Sequence, residues 1–190
     1  MTDKKIKVST NSESYQKVLH WFFAFPYKKI SLNKLSEELA ISKSNANRIV
    51  EKLVNVGFLE KQVIGKTWQL SCNIKHSFNQ EYKIPYNLNL IYSSDIINKV
   101  NKKIPNAKAI ILFGSYRWGS DNENSDIDIA VELLGKEKLK IEELEKIKEI
   151  GFRRNIPVNL HIYSKGNIDV NLYTNIINGI VLNGLIEVKR

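Results

Sequence analysis

Two apolar segments separated by a short polar stretch constrain the fold of this chain more than any other feature. Residues 109–113 read AIILF, a continuous apolar run that is typical of a strand buried on both faces. Residues 125–134 read SDIDIAVELL and alternate, which predicts a second strand with one face in the core. Further strands are predicted at 156–164 and 180–188, and helices at 87–103, at 136–154 and from 171. This alternation indicates an α/β domain.

The polar stretch carries residues that suit phosphate and metal binding. Gly114 lets the backbone turn sharply and approach a ligand, and the Ser115 hydroxyl and nearby N–H groups can bind phosphate oxygens. Asp126 and Asp128 lie two residues apart on a predicted strand, so both carboxylates project from one face. Such carboxylates repel each other unless a cation such as Mg²⁺ neutralises them. Taken alone, the pair is better explained by a turn cap followed by a solvated residue of an edge strand.

The combination of Gly114-Ser115, ten intervening residues and Asp126-Ile127-Asp128 resembles the DNA polymerase β-like nucleotidyltransferase superfamily. Its minimal nucleotidyltransferase branch is the most similar, and the resemblance covers about residues 90–190. It implies an α+β domain whose mixed sheet is flanked by helices. It also implies transfer of a nucleoside monophosphate, with AMP expected, from an NTP to a protein or small-molecule acceptor. The branch includes partners of toxin–antitoxin pairs that transfer AMP onto a toxin, which makes a cognate toxin a candidate partner.

The resemblance also implies a role for each matching residue. Gly114 and Ser115 would hold the phosphates of the nucleotide, with ATP expected as the donor. Asp126 and Asp128 would be the catalytic carboxylates that bind Mg²⁺ or Mn²⁺. Arg117, in the same turn, either steadies a phosphate or is solvated surface.

The chain departs from the superfamily at the third carboxylate, which usually comes from a following strand. Here the matching residue is Asn159, whose neutral amide coordinates only through its carbonyl oxygen and cannot act as a base. General bases typically contribute about 10²–10⁴-fold, so the sequence leaves two functions open: an enzyme, or a regulator with weakened catalysis. His161, on the same strand face, either replaces the missing base or is satisfied locally. Glu132 shares a face with Asp128 but lies about 13 Å along the strand, too far to join it.

The N-terminal part of the chain predicts helices followed by a hairpin. Apolar residues from Tyr15 to Phe23 recur at helical spacing, and Ser31 is suited to cap a second helix. The predicted elements are helices at 11–25, 32–40 and 43–56, and strands at 58–64 and 66–72. This order resembles the winged helix-turn-helix family over about residues 11–73 and implies DNA binding.

The third helix of that resemblance would be the recognition helix. Its Asn and Arg side chains can hydrogen-bond base edges, and Lys and Ser side chains can hold phosphates. The expected DNA contacts are Lys43, Ser44, Asn45, Asn47, Arg48 and Lys52, with Lys66 on the hairpin. The alternative is a domain for protein contact or homodimerisation, with the first helix as a candidate interface.

Charge is distributed unevenly between the two halves of the chain. The net charge is +9; residues 1–90 hold 14 Lys and Arg against 7 Asp and Glu, whereas residues 91–190 hold 15 against 13. A basic half suggests a polyanionic partner, although a lysine-rich proteome would produce the same excess. We therefore predict a winged-helix domain over 1–75, a linker over 76–89 and a nucleotidyltransferase domain over 90–190.

The composition also predicts where the protein acts. Residues 1–14 lack the apolar stretch of a secretory signal, and the longest apolar run, WFFAF at 21–25, is far below the roughly 20 residues of a membrane span. The lone Cys72 cannot form an intramolecular disulfide, which suits a reducing compartment. We expect a cytoplasmic protein without a membrane partner.

Overall fold

The structure is a computed structural model that describes residues 12–187. Residues 1–11 and 188–190 lie outside the described residues. These ranges include most of residues 1–14, where no secretory signal is expected, and the outer ends of both predicted domains. The chain divides into two compact units, Met1–His76 and Ser77–Arg190. Between residues 12 and 187, no helix has the length and apolar character needed to cross a bilayer.

The described part of the first unit contains three helices and a three-stranded antiparallel sheet in which β3 is central. Ser12, Ser31 and Ser42 cap the three helices, each accepting a backbone N–H from the first turn. The elements are α1 (Glu13–Ala24), β1 (Ile30–Ser31), α2 (Leu32–Glu38), α3 (Lys43–Asn55), β2 (Leu59–Ile64) and β3 (Thr67–Cys72). The predicted helices and hairpin are confirmed, and β1 is an additional short strand. The winged-helix class itself stays a prediction.

The second unit is built on a mixed five-stranded sheet with the order β6-β7-β5-β4-β8. Strands β5 and β7 are parallel, and the other neighbouring pairs are antiparallel. The helices are α4 (Phe78–Glu81), α5 (Lys83–Ser93), α6 (Ile96–Lys103), α7 (Gly114–Trp118) and α8 (Val170–Ile177). The strands are β4 (Ala109–Phe113), β5 (Ile127–Leu133), β6 (Lys140–Ile150), β7 (Arg153–Ser164) and β8 (Ile180–Gly184).

Both faces of this sheet are covered, which explains the continuous apolar run of β4. On one face, Ile110 and Leu112 pack with buried residues of α5 and α6. On the other face, Ile111 and Phe113 pack with Ile176 of α8. The prediction that 109–113 is a buried strand is therefore confirmed.

The predicted linker over 76–89 is corrected by the structure. Helices α4 and α5 occupy most of this segment, and they belong to the second unit. The apolar periodicity is weak because α5 buries two polar side chains, Lys83 and Asn87, each 1% exposed. Pro85 lies in the first turn of α5, where its missing N–H costs no intrahelical hydrogen bond.

The predicted helix over 136–154 is wrong, because this segment forms the edge strand β6. Leu144 and Ile147 are three residues apart and suggested a helical stripe. In the structure, a β-bulge between Glu143 and Glu145 shifts the register against β7, and both Leu144 and Ile147 pack against the core. Pairing with the long strand β7 thus overrides the helix propensity of a Lys- and Glu-rich segment.

Candidate active site

The predicted carboxylates lie where the end of β4 and the start of β5 meet the middle of β7. Asp128 on β5 lies opposite Phe113 of β4 on one side and Asn159 of β7 on the other. Asp126 precedes β5 directly, and both aspartates are half-buried. Asn159 Nδ2 donates a hydrogen bond to Asp126 Oδ2 over 3.1 Å. The amide therefore lies beside the two carboxylates, at the position where the sequence predicts the third member of the cluster.

His161 contacts the second of the two carboxylates. Its Nε2 atom lies 3.3 Å from Asp128 Oδ1, and its ring packs edge-on against Phe113 with 4.8 Å between centroids. The Nδ1 atom is buried and has no hydrogen-bond partner among the described residues. Glu132, by contrast, lies away from this cluster, with one carboxylate oxygen 3.3 Å from Lys108 Nζ and the other 3.3 Å from the Tyr163 hydroxyl.

The turn at Gly114 approaches the carboxylates closely. Gly114 has a φ of +70°, and a Cβ built on it would lie 2.6 Å from Asp128 Oδ2. Only glycine satisfies both the positive φ and this short approach. Ser115 follows in the same turn and is half-buried, so the predicted phosphate-binding residues and the predicted metal-binding pair are neighbours.

Arg117 has a contact that the sequence did not indicate. Its Nε donates a hydrogen bond to the carbonyl oxygen of Asn178 over 2.7 Å, and its guanidinium lies 4.0 Å from the centroid of the Trp118 ring. Asn178 follows α8, so Arg117 ties the Gly114 turn to the connection between α8 and β8. Trp118 is 47% exposed beside it.

The second unit also contains a buried polar cluster, which we call the Asp121 cluster and which the sequence did not predict. It comprises Asp121 with Lys83, Asn87, Tyr116 and Arg153, each less than a tenth exposed. Burial raises the pKa of the Asp121 carboxyl above its usual value, while Lys83, the Asn87 amide and Arg153 oppose that rise. Lys83, Asn87 and Arg153 each lie more than 30 residues from Asp121 in the sequence, so no local pattern predicts the cluster.

The donor set at the carboxylates suits a hard divalent cation. Asp126 and Asp128 supply carboxylate oxygens, and Mg²⁺ is commonly held by one or two carboxylates together with waters and substrate phosphates. Gly114 has no side chain to fill the space beside Asp128 Oδ2. Across residues 12–187, no three His, Cys, Asp or Glu side chains form a metal-binding group. Asp126 and Asp128 could therefore hold such an ion together with waters or substrate phosphates.

The predicted DNA contacts lie on α3 and in the turn between β2 and β3. Lys43, Ser44, Asn47, Arg48 and Lys52 are exposed on α3, and Asn45 is half-buried with its Oδ1 accepting from Arg48 Nη2 over 2.7 Å. Lys66, in the β2–β3 turn, shares with Lys43 and Asn47 the lining of a cavity of about 220 Å³. The structure thus brings the hairpin and the third helix together within this unit.

One protein family matches part of the second unit. The model of the family described as Polymerase beta, Nucleotidyltransferase matches residues 94–184. This range contains the Gly114 turn, both aspartates and Asn159, and it supports assigning the second unit to the polymerase β-like nucleotidyltransferase superfamily. None of the curated proteins compared with the chain matches it. The match includes no residue of the first unit.

Proposed function

We propose that the protein transfers a nucleoside monophosphate, AMP from ATP, to a protein or small-molecule acceptor with the help of Mg²⁺ or Mn²⁺. One observation carries the proposal: the Gly114 turn lies against Asp128, within a 94–184 segment that matches a nucleotidyltransferase family. Both features are needed, because an Asp-X-Asp pair alone has a structural explanation. The proposed setting is the cytoplasm, where ATP and Mg²⁺ are supplied.

The proposal assigns a role to the residues of the Gly114 turn and to those of the carboxylate cluster. Gly114 and Ser115 bind the phosphates, and Asp126 and Asp128 hold the divalent ion. The ion, when bound, neutralises charge on the triphosphate. The backbone carbonyl of Asn178 accepts a hydrogen bond from Nε of the Arg117 guanidinium and holds that group beside the phosphate turn. His161 keeps the Asp128 carboxylate in place through their 3.3 Å contact.

A second candidate function is a DNA-binding regulator or antitoxin whose nucleotidyltransferase domain has little or no turnover. Asn159 favours it, because a neutral amide beside Asp126 supplies neither the third negative charge nor a base. The exposed basic side chains of α3 and the hairpin also favour it. In this function a cognate toxin is a binding partner, whereas in the first it is the acceptor; homodimerisation is compatible with both.

Transfer of label from ATP tests the first function. The protein is incubated with ATP labelled at the α-phosphate, with Mg²⁺ and candidate acceptors, beside Asp126→Asn and the control Asp95→Asn. We expect Asp126→Asn to reduce transfer by more than about 10²-fold, since loss of even an outer partner of a metal ligand costs about 10–100-fold. Asp95 lies before α6, outside the carboxylate cluster, and its variant should match the parent. Equal transfer by Asp126→Asn and the parent would exclude the proposed site.

Salt-dependent DNA binding tests the second function. Lys66→Ala should weaken binding to duplex DNA of any sequence. It should also make the negative slope of log association constant against log salt concentration less steep by about one, because it removes one phosphate contact. The control Lys146→Ala removes the same charge from β6 in the other unit. Fluorescence anisotropy between low and physiological salt measures both. Parallel losses in the two variants would mean that only net charge matters.

A further inference from the structure

The segment 116–125 connects the Gly114 turn to Asp126, and two side chains of α5 donate hydrogen bonds to it. Lys83 Nζ donates to the backbone carbonyl of Asp121 over 2.5 Å and lies 3.4 Å from the Asp121 carboxylate. Asn87, one helical turn further along α5, donates from Nδ2 to Asp121 Oδ1 over 2.7 Å and to the Tyr116 carbonyl over 3.0 Å. The two side chains lie on one face of the helix because they are four residues apart.

Arg153, at the start of β7, holds both ends of the same segment. Its Nη1 donates to the Tyr116 hydroxyl over 2.6 Å, and its Nη2 donates to the Ser125 carbonyl. Tyr116 directly follows Ser115, and Ser125 directly precedes Asp126. The contacts of the Asp121 cluster therefore end one residue away from each half of the proposed site.

Packing segment 116–125 against the fold would not by itself require the buried charges of the cluster. Lys83 and Arg153 are 1% and 7% exposed, and both lie at one carboxylate, Asp121, which is 3% exposed. Buried ion pairs carry a desolvation cost, and apolar side chains of similar volume often stabilise a fold as well or better. Unlike apolar packing, the hydrogen bonds of an ionic cluster are directional, so they fix the positions of particular backbone carbonyls.

We propose that Lys83 is a positioning residue of the nucleotide site. Through Asp121 it fixes segment 116–125, and thereby sets the distance between the Ser115 turn and Asp126. This inference rests on the proposed function, because the two elements being positioned are its phosphate-binding turn and its metal-binding carboxylate.

A pair of lysine variants separates positioning from stability alone. Lys83→Met removes the ammonium and keeps the length of the side chain. Lys108→Met is the matched control, because Lys108 also faces a buried carboxylate, Glu132, but at the opposite end of β4 and β5 from the site. Two quantities are measured in the full chain: affinity for the α,β-methylene analogue of ATP with Mg²⁺ by calorimetry, and backbone amide exchange of residues 116–126. Thermal unfolding reports the stability of each variant.

We expect both variants to lower the melting temperature, but only Lys83→Met to weaken analogue binding, by about 10-fold or more, and to speed exchange in 116–126. If Lys83→Met does not fold, Asn87→Ala carries the same comparison, since it removes two hydrogen bonds of the segment and no charge. A folded variant that binds the analogue as the parent does, or weakens binding no more than Lys108→Met, overturns the positioning role. A parent that binds no nucleotide instead refutes the proposed function itself.

Discussion

Replacing Asn159 with aspartate is expected to raise nucleotidyl transfer by about 10²–10⁴-fold, the range that a general base typically contributes. The replacement is nearly isosteric, and its carboxylate would lie where the Asn159 amide now donates to Asp126 over 3.1 Å. It restores the third carboxylate that the superfamily resemblance implies. The labelled-ATP assay measures the gain, with the parent and Asn159→Asp run against the same acceptors.

The same substitution should make stability depend on the divalent ion. Without metal, three adjacent carboxylates repel one another, so Asn159→Asp should unfold at a lower temperature than the parent in the presence of a chelator. Addition of Mg²⁺ should reverse this loss, because an ion that binds only the folded state stabilises it by mass action. Thermal unfolding with and without Mg²⁺ measures the effect, and the parent should respond less.

Asn155→Asp is the control for both measurements. Asn155 lies on the same strand, is exposed, and has a φ of +53°, which aspartate also tolerates. It adds the same charge away from the carboxylates, so neither transfer nor the response to Mg²⁺ should change. If Asn159→Asp transfers no more label than Asn155→Asp, the missing carboxylate is not what limits the site.

Replacing Asp121 with asparagine is expected to cost about 3–5 kcal/mol of unfolding free energy in the second unit, the usual cost of removing one partner from a buried ion pair. The side chain keeps its size and can still accept the hydrogen bond from Asn87. It loses the charge that faces Lys83 at 3.4 Å and Arg153 at 3.9 Å, so two buried cations remain without that carboxylate. Lys83→Met should cost less, because there one carboxylate still faces one cation.

Urea unfolding of the full chain measures these differences, with Asp95→Asn as the exposed control, which should lie within about 0.5 kcal/mol of the parent. The double variant Asp121→Asn, Lys83→Met should recover part of the loss, since the two side chains are in contact and their effects are coupled. A cost below about 1 kcal/mol for Asp121→Asn, or strictly additive losses in the double variant, would contradict an ionic role for the cluster.

Features that depend on neighbouring residues were predictable from the sequence. The apolar run at 109–113 indicates a strand buried on both faces, because every residue is apolar whichever way it points. The predicted serine cap at Ser31 marks a helix start through a contact within three residues. The Gly114 turn and the aspartate pair are likewise local, and the family match over 94–184 includes them.

Features that depend on distant partners were decided only by the tertiary structure. Residues 140–150 have the composition of a helix and form a strand, because pairing with β7 across a bulge buries Leu144 and Ile147. Residues 76–89 suggested a linker, because the partners that make Lys83 and Asn87 suitable for burial are the distant residues Tyr116 and Asp121. Electrostatic and hydrogen-bonding partners that are distant in sequence leave no period in it, whereas a turn, a cap or a buried strand leaves a local pattern. The local sequence therefore predicts the Gly114 turn and the aspartate pair, while the helix and strand that hold them in place follow from the folded chain.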